Sequence, residues 1–211
     1  IRLGGGLNHL KELLRSVDIE KYNIKKIIIY SCITTLNEIE EKPWLEKCYE
    51  TVMEQNYFKR TLWHYKKLNM KLRKKKCDIL FVPGGSFTTN FRPVVTMSQN
   101  LIPFELNEIF RYGISLLTLR LIILRLFHSF SFNNANGTIF LTEYAKDVVF
   151  KVTKPLKGKS VVIPHGIDRS FFLQPRPQLR INKFSSKCPF QLLYVSTIEP
   201  YKHHHLVIHA V

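Results

Sequence analysis

Carboxylates are scarce in this chain. Sixteen Asp and Glu stand against thirty-two Lys and Arg in 211 residues, a formal net charge of +16. That excess must face water or an anionic partner, because unpaired charges are almost never buried. Nucleic acid, anionic lipid and phosphorylated ligands are all open as partners. Cysteine is sparse too: Cys32, Cys48, Cys77 and Cys188 form no CxxC pair, which argues against a zinc ribbon or a stapled secreted scaffold and fits a reducing compartment. Long uncharged apolar runs are also missing. Arg111, Arg120 and Arg125 interrupt the most apolar segment, Glu105 to Phe130, so nothing reaches the roughly 20 apolar residues of a simple membrane span. No signal peptide is visible.

Several catalytic signatures are absent as well. Without a GxSxG elbow, a P-loop or a Cys/His nucleophile pattern, hydrolase and kinase readings lose their support. His203, His204, His205 and His209 offer an i,i+4 pair, but the third ligand and the glutamate of HExxH are missing and no metal is expected. No RRM, zinc-finger or helix-turn-helix pattern appears, which ranks nucleic acid below the other anions.

What is present is globular: 45% of the residues are hydrophobic, too many for a disordered tail. The charge is uneven. Residues 1 to 54 hold eight Lys/Arg and nine Asp/Glu, net −1, so residues 55 to 211 carry +17. Leu7, Leu10, Leu13, Leu14 and Val17 share one helical stripe directly after Gly4-Gly5-Gly6, which predicts a helix opened by glycines. Lys26 to Cys32, Cys77 to Pro83, Val94 to Met97, Thr138 to Leu141, Ser160 to Pro164 and Phe190 to Ser196 read as buried-type strands. Trp44 to Lys76 reads as helical. Thr142 is the expected N-cap of a helix over Glu143 to Val152. Alternation of strands and helices predicts an α/β fold, a Rossmann-like doubly wound parallel sheet. The Pro-rich, basic stretch from 169 to 189 reads as a linker, with one domain before it (1–168) and a second beginning at 190–211. With Ile1 first rather than Met, and Val211 inside an apolar helical pattern, the sequence is expected to be a piece of a longer protein.

Two surfaces invite anions. Gly4-Gly5-Gly6 is either a plain turn or a loop letting backbone approach an anion or sugar at a helix start. Lys59 to Lys76 holds nine Lys/Arg and no acid, with Leu62, Tyr65, Leu68 and Leu72 at helical spacing. That predicts a basic amphipathic helix, either a solvated face or a binding surface for an anionic membrane. Glu105 to Phe130 is open between an ordinary buried helix and a membrane-facing one.

Four segments in order, GGGLNHLKELL, CDILFVPGGSFTTNFRPVVTMSQNLIPFE, GTIFLTEYAKDVV with VVIPHGID, and LLYVSTIEPYKHHHLVIHAV, resemble the retaining glycosyltransferases of family 4, the group 1 type with two Rossmann-like domains (the GT-B fold). The resemblance implies a nucleotide-sugar donor held between an acceptor-side N-terminal domain, here lacking its first strand, and a truncated C-terminal domain. It implies donor-binding roles for Gly5, Gly6, Ser196, Thr197 and Lys202, with Lys202 on the diphosphate, and an inter-domain turn at His165, Gly166 and Asp168. It implies no cofactor and no metal. The acceptor would be a glycan or lipid-linked sugar of bacterial-type polysaccharide or lipopolysaccharide synthesis, handled in the cytoplasm at the inner face of the membrane. Catalytic residues are not assigned, since the family's Glu, seven residues, Glu motif would lie beyond Val211 and the piece alone would be inactive. Departures matter: Thr197 stands where the family commonly has Arg, Ser196 and His203 where it has Gly. After VVT, Ser98, Gln99 and Asn100 replace the region of a family histidine. The rival reading is a non-catalytic basic module binding anionic membrane or nucleic acid.

Overall fold

The computed structural model describes residues 5–167 and 171–210. The chain is α/β with parallel sheets. Its elements in order are α1 (Gly5–Ser16), β1 (Ile27–Ser31), α2 (Ile33–Asn37), β2 (Leu45–Tyr49), α3 (Tyr57–Trp63), a π turn (His64–Leu68), α4 (Asn69–Lys74), β3 (Leu80–Val82) and β4 (Val94–Ser98). They continue with α5 (Leu106–Phe110), α6 (Leu116–Asn134), β5 (Gly137–Phe140), α7 (Glu143–Thr153), β6 (Lys159–Val162) and α8 (His204–His209).

The strands fall into two sheets, not the single one expected. β1 and β2 pair in parallel, Ile27 opposite Leu45 through Ser31 opposite Tyr49. β3, β4, β5 and β6 form a second parallel sheet in chain order. Parallel neighbours need crossovers, and α5–α6 and α7 supply them for β4 to β5 and β5 to β6. The core lies where these helices meet the second sheet, with Phe132, Phe140 and Val149 fully buried beside Phe104. A second cluster, Trp63, Leu68, Leu72 and Phe91, takes in Tyr30 from β1 and Leu80 from β3.

Local chemistry explains the boundaries. Thr142 caps α7, its Oγ1 accepting from the Ala145 amide at 3.0 Å. Asn133 and Asn134 sit in the last turn of α6 and donate to the Ser129 and Phe130 carbonyls at 3.1 and 2.8 Å. The turn into β5 begins at Asn136, whose Oδ1 accepts from the Val94 amide at 2.9 Å.

Three expectations are corrected. First, Leu45–Tyr49 is a strand although its sequence, LEKCY, sits in a stretch that reads as helical. Pairing with β1 overrides that propensity, and the charged Glu46 is held by Lys26 and Lys75. Charge on such a strand is a usual guard against stray pairing. Second, Lys59 to Lys76 is not one regular helix. The π turn inserts an extra residue, so Leu68 and Leu72 are buried with Trp63 while Leu62 and Tyr65 face out. Third, Phe190 to Ser196 forms no strand. Leu193 and Val195 are 88% and 80% exposed; among the described residues no strand lies beside them, and an extended segment without neighbours gains neither ladder bonds nor burial.

Candidate functional site

In a parallel α/β sheet the loops after the strands' carboxyl ends converge at one edge, where ligands bind. The strands' carboxyl ends here lead into Cys32 after β1, Gly84-Gly85-Ser86 after β3, Gln99 and Asn100 after β4, Thr142 after β5 and His165-Gly166 after β6.

The glycine-opened helix and the turn after β6 come together. His9, in the second turn of α1, meets His165 edge to face, ring centroids 4.6 Å apart. Burial and then the neighbouring His165 push His9 below the usual imidazole range. A positive charge on His9 is disfavoured there by burial and by the second ring beside it. A Cβ at Gly5 or Gly166 would meet nothing within 4 Å. Packing therefore does not demand glycine at either position, and both open onto free space. Gly4 and Asp168 lie outside the described residues.

Lys202 sits in a different group. An open cleft of about 400 Å³ is lined by Gln99, Asn100, Glu105, Glu108, Lys202 and His203, among others. Two of its carboxylates are already engaged. Arg111 donates to both oxygens of Glu108 at 2.8 and 2.9 Å and holds that carboxyl below its ordinary range, and the Tyr144 hydroxyl donates to Glu105. His203 Nε2 stands 4.0 Å from Glu108. Lys202 has no carboxylate partner among the described residues and lies over the Tyr201 ring at 5.0 Å. The strap that presents it is tied internally: the Tyr194 hydroxyl donates to the Lys202 carbonyl at 2.7 Å, and Ser196 Oγ meets His204 Nε2 at 3.0 Å. His203 takes φ +55°, the left-handed region that glycine enters freely; this is the position where the resembled family carries Gly.

The structure thus joins Gly5 and Gly6, through α1, to His165 and Gly166, and joins Lys202 to the loop after β4. Ser196 and Thr197 do not line the Lys202 cleft, and that cleft shares no lining residue with the His9–His165 pair. Glu105, Glu108 and His9 are contributors that sequence reasoning missed. So is His128 on α6, which is buried, stacks near Phe104 and Phe132, and touches the backbone of Gly85 (φ +80°). Burial pushes its imidazole down to about 4. The buried side-chain atoms His128 Nδ1, Ser86 Oγ and Ser98 Oγ have no hydrogen-bond partner. The one available signal was a histidine inside an otherwise apolar helix. Among the described residues no three His, Cys, Asp or Glu side chains are grouped to hold a metal ion.

Compared with known protein families, with curated proteins and with solved structures, the chain gives no match in any of the three.

Proposed function

We propose that this chain is the acceptor-side domain and the beginning of the donor-binding domain of a glycosyltransferase of GT-B architecture that uses a nucleoside-diphosphate sugar. The observation that carries the reading is the cleft where Lys202, without a carboxylate partner among the described residues, shares the lining with Gln99 and Asn100 at the carboxyl end of β4. An ammonium there would neutralise charge developing on a departing nucleoside diphosphate, the usual electrostatic contribution to group transfer. Ser196, Thr197, Gly5 and Gly6 would complete the donor's surroundings, and His165 and Gly166 the turn between domains.

The sheet arrangement supports the same reading. β1 and β3 do not pair with each other, yet both pack on Trp63, Leu68 and Leu72 through Tyr30 and Leu80. Ile27, Ile28 and Ile29 are only half-buried, although their run suits a strand covered on both faces. One parallel strand between β1 and β3, entering α1 at its carboxyl end, would unite the two sheets. Strand order would then reverse at that strand, which makes a doubly wound sheet with its ligand crevice beside Gly5 and Gly6.

Calorimetric titration with nucleoside diphosphates and their sugar conjugates tests the reading. Binding is expected, and Lys202→Ala should weaken it about tenfold or more, the loss of a charge-assisted contact. No binding, or equal affinity in the variant, overturns it. The rival reading, a basic module, is favoured by Lys66, Lys67, Lys74 and Lys76, exposed without carboxylate partners among the described residues. Salt-sensitive binding to duplex DNA without nucleoside-diphosphate binding would select it. As a transferase acting on a glycan or lipid-linked acceptor, the protein would work in the cytoplasm at the inner face of the membrane.

A further inference from the structure

The outer face of α6 is dressed for a medium other than water. Leu116, Leu119, Ile123, Leu126 and Phe130 alternate three and four residues apart and so form one stripe. All five are at least 44% exposed, and Ile114 and Phe110 continue the patch beyond the helix start. The inward face is the more polar one: Thr118, His128 and Ser131 are buried with Leu121 and Phe132. Ser131 Oγ accepts from the Phe87 amide at 3.0 Å and donates to the Phe87 carbonyl at 3.2 Å, and Arg125 donates to the Phe104 carbonyl at 3.3 Å. A surface helix of a globular protein ordinarily turns its polar side outward. α6 does the opposite, and single exposed apolar residues are common where a contiguous stripe is not.

We propose that this stripe docks α6 lengthwise into the headgroup and upper acyl region of an anionic membrane. None of the stripe's residues takes part in the transferase reading. Charge decides the occupant. Between Glu108 and Glu143 there is no carboxylate, and Arg111, Arg120 and Arg125 are the charged side chains of that stretch. Arg120 lies beside the stripe and is exposed, where its stem can lie along acyl chains while the guanidinium reaches phosphate. A second copy would bring another +16 and a second Arg120 against the same face, whereas an anionic leaflet attracts both. By length and composition α6 could cross a membrane, the one such helix among the described residues. It is nevertheless tied to the sheet by Phe132 in the core and by Ser131, and it connects the parallel neighbours β4 and β5, so it lies in the interface and does not span it.

The full 211-residue chain is sedimented with vesicles of phosphatidylcholine alone or mixed with phosphatidylglycerol. Binding to the mixed vesicles only is expected. Leu119→Gln/Leu126→Gln, at exposed positions, should keep the wild-type circular dichroism and lower vesicle affinity about tenfold or more. Leu126→Trp should be quenched by brominated acyl chains in the mixed vesicles, a readout that does not depend on the double variant folding. Undiminished binding in the double variant, with loss instead in Lys66→Gln/Lys67→Gln, would assign the contact to the basic surface and overturn the proposal. So would absence of quenching in Leu126→Trp, or a wild-type dimer that the double variant dissolves without any vesicle binding.

Discussion

Acidification should unfold this protein through His128, by an amount that can be worked out. The imidazole is packed against Phe104, Phe132 and Gly85 and is 5% exposed. Burial alone depresses it to about 4 from an unfolded value of 6.5. The folded value is the lower one, so the unfolded chain binds the proton first. The contribution is fully present above pH 6.5 and is lost as pH falls toward 4. At about 1.4 kcal/mol for each pH unit separating the folded and unfolded values, the whole window holds about 3 kcal/mol, of which about 2 kcal/mol is gone by pH 5. Glu46, drawn down to about 2 by Lys26 and then Lys75, loses its contribution below its ordinary 4.5 and does not enter a comparison made above that. His64 and His9 are also lowered by burial and share the window, so a variant must isolate His128. His128→Leu removes the proton site and orphans no partner, since Nδ1 has none. Urea unfolding followed by circular dichroism at about pH 7.5 and about pH 5 should show His128→Leu losing about 2 kcal/mol less than the wild type. Parallel losses in the two proteins would refute the reasoning.

Other consequences concern backbone and loops. A Cβ on Gly158 would stand 2.2 Å from the Ala135 carbonyl oxygen and 2.7 Å from that of Asn136, where backbone must give way. Gly158→Ala should therefore cost about 2 kcal/mol or more in urea unfolding, and a neutral outcome would mean that the approach of β6 to the end of α6 is looser than these distances. Amide exchange should find Leu192 to Val195 near unfolded rates and Met97 and Thr96, bonded into β4 between two strands, among the slowest. Equal protection would place Leu192 to Val195 in a sheet and withdraw the exposed strap that presents Lys202.

The strands legible in the sequence are those whose apolar residues speak for themselves: Ile27 to Tyr30, Val94 to Met97, Thr138 to Phe140. Thr142 was legible because a cap needs only a hydroxyl three residues before an amide, a local rule. β2 was not, because Leu45, Glu46, Lys47, Cys48 and Tyr49 owe their conformation to β1, which lies outside any sequence window. Phe190 to Ser196 is the converse case. Its composition suits a strand, but a strand exists only through its neighbours. Lys202 is singled out in the sequence only by resemblance; in the fold it lines the cleft beside His203, whose backbone is left-handed. Glu105 and Glu108 were not legible, since only the fold of α5 against the 200–203 turn brings them to Lys202.

The open edges of β1 and β3 and the exposed apolar stripe of α6 differ in the chemistry they present. β1 and β3 each pair on one side only, and the other side carries backbone N–H and C=O groups of the kind that pair with a strand; Ile27 to Ile29 are half-buried. No lipid can satisfy that row, because acyl chains offer neither donors nor acceptors. The α6 stripe is the opposite case. Its backbone bonds are closed within the helix, and its polar side chains are directed inward to Phe87, Gly113 and Phe104. The stripe itself leaves apolar surface outside, with Arg120 beside it. A strand would add no hydrogen bond there, whereas acyl chains with anionic headgroups match both. The strand proposed between β1 and β3 and the lipid contact proposed for α6 therefore call on different chemistry, and neither could substitute for the other.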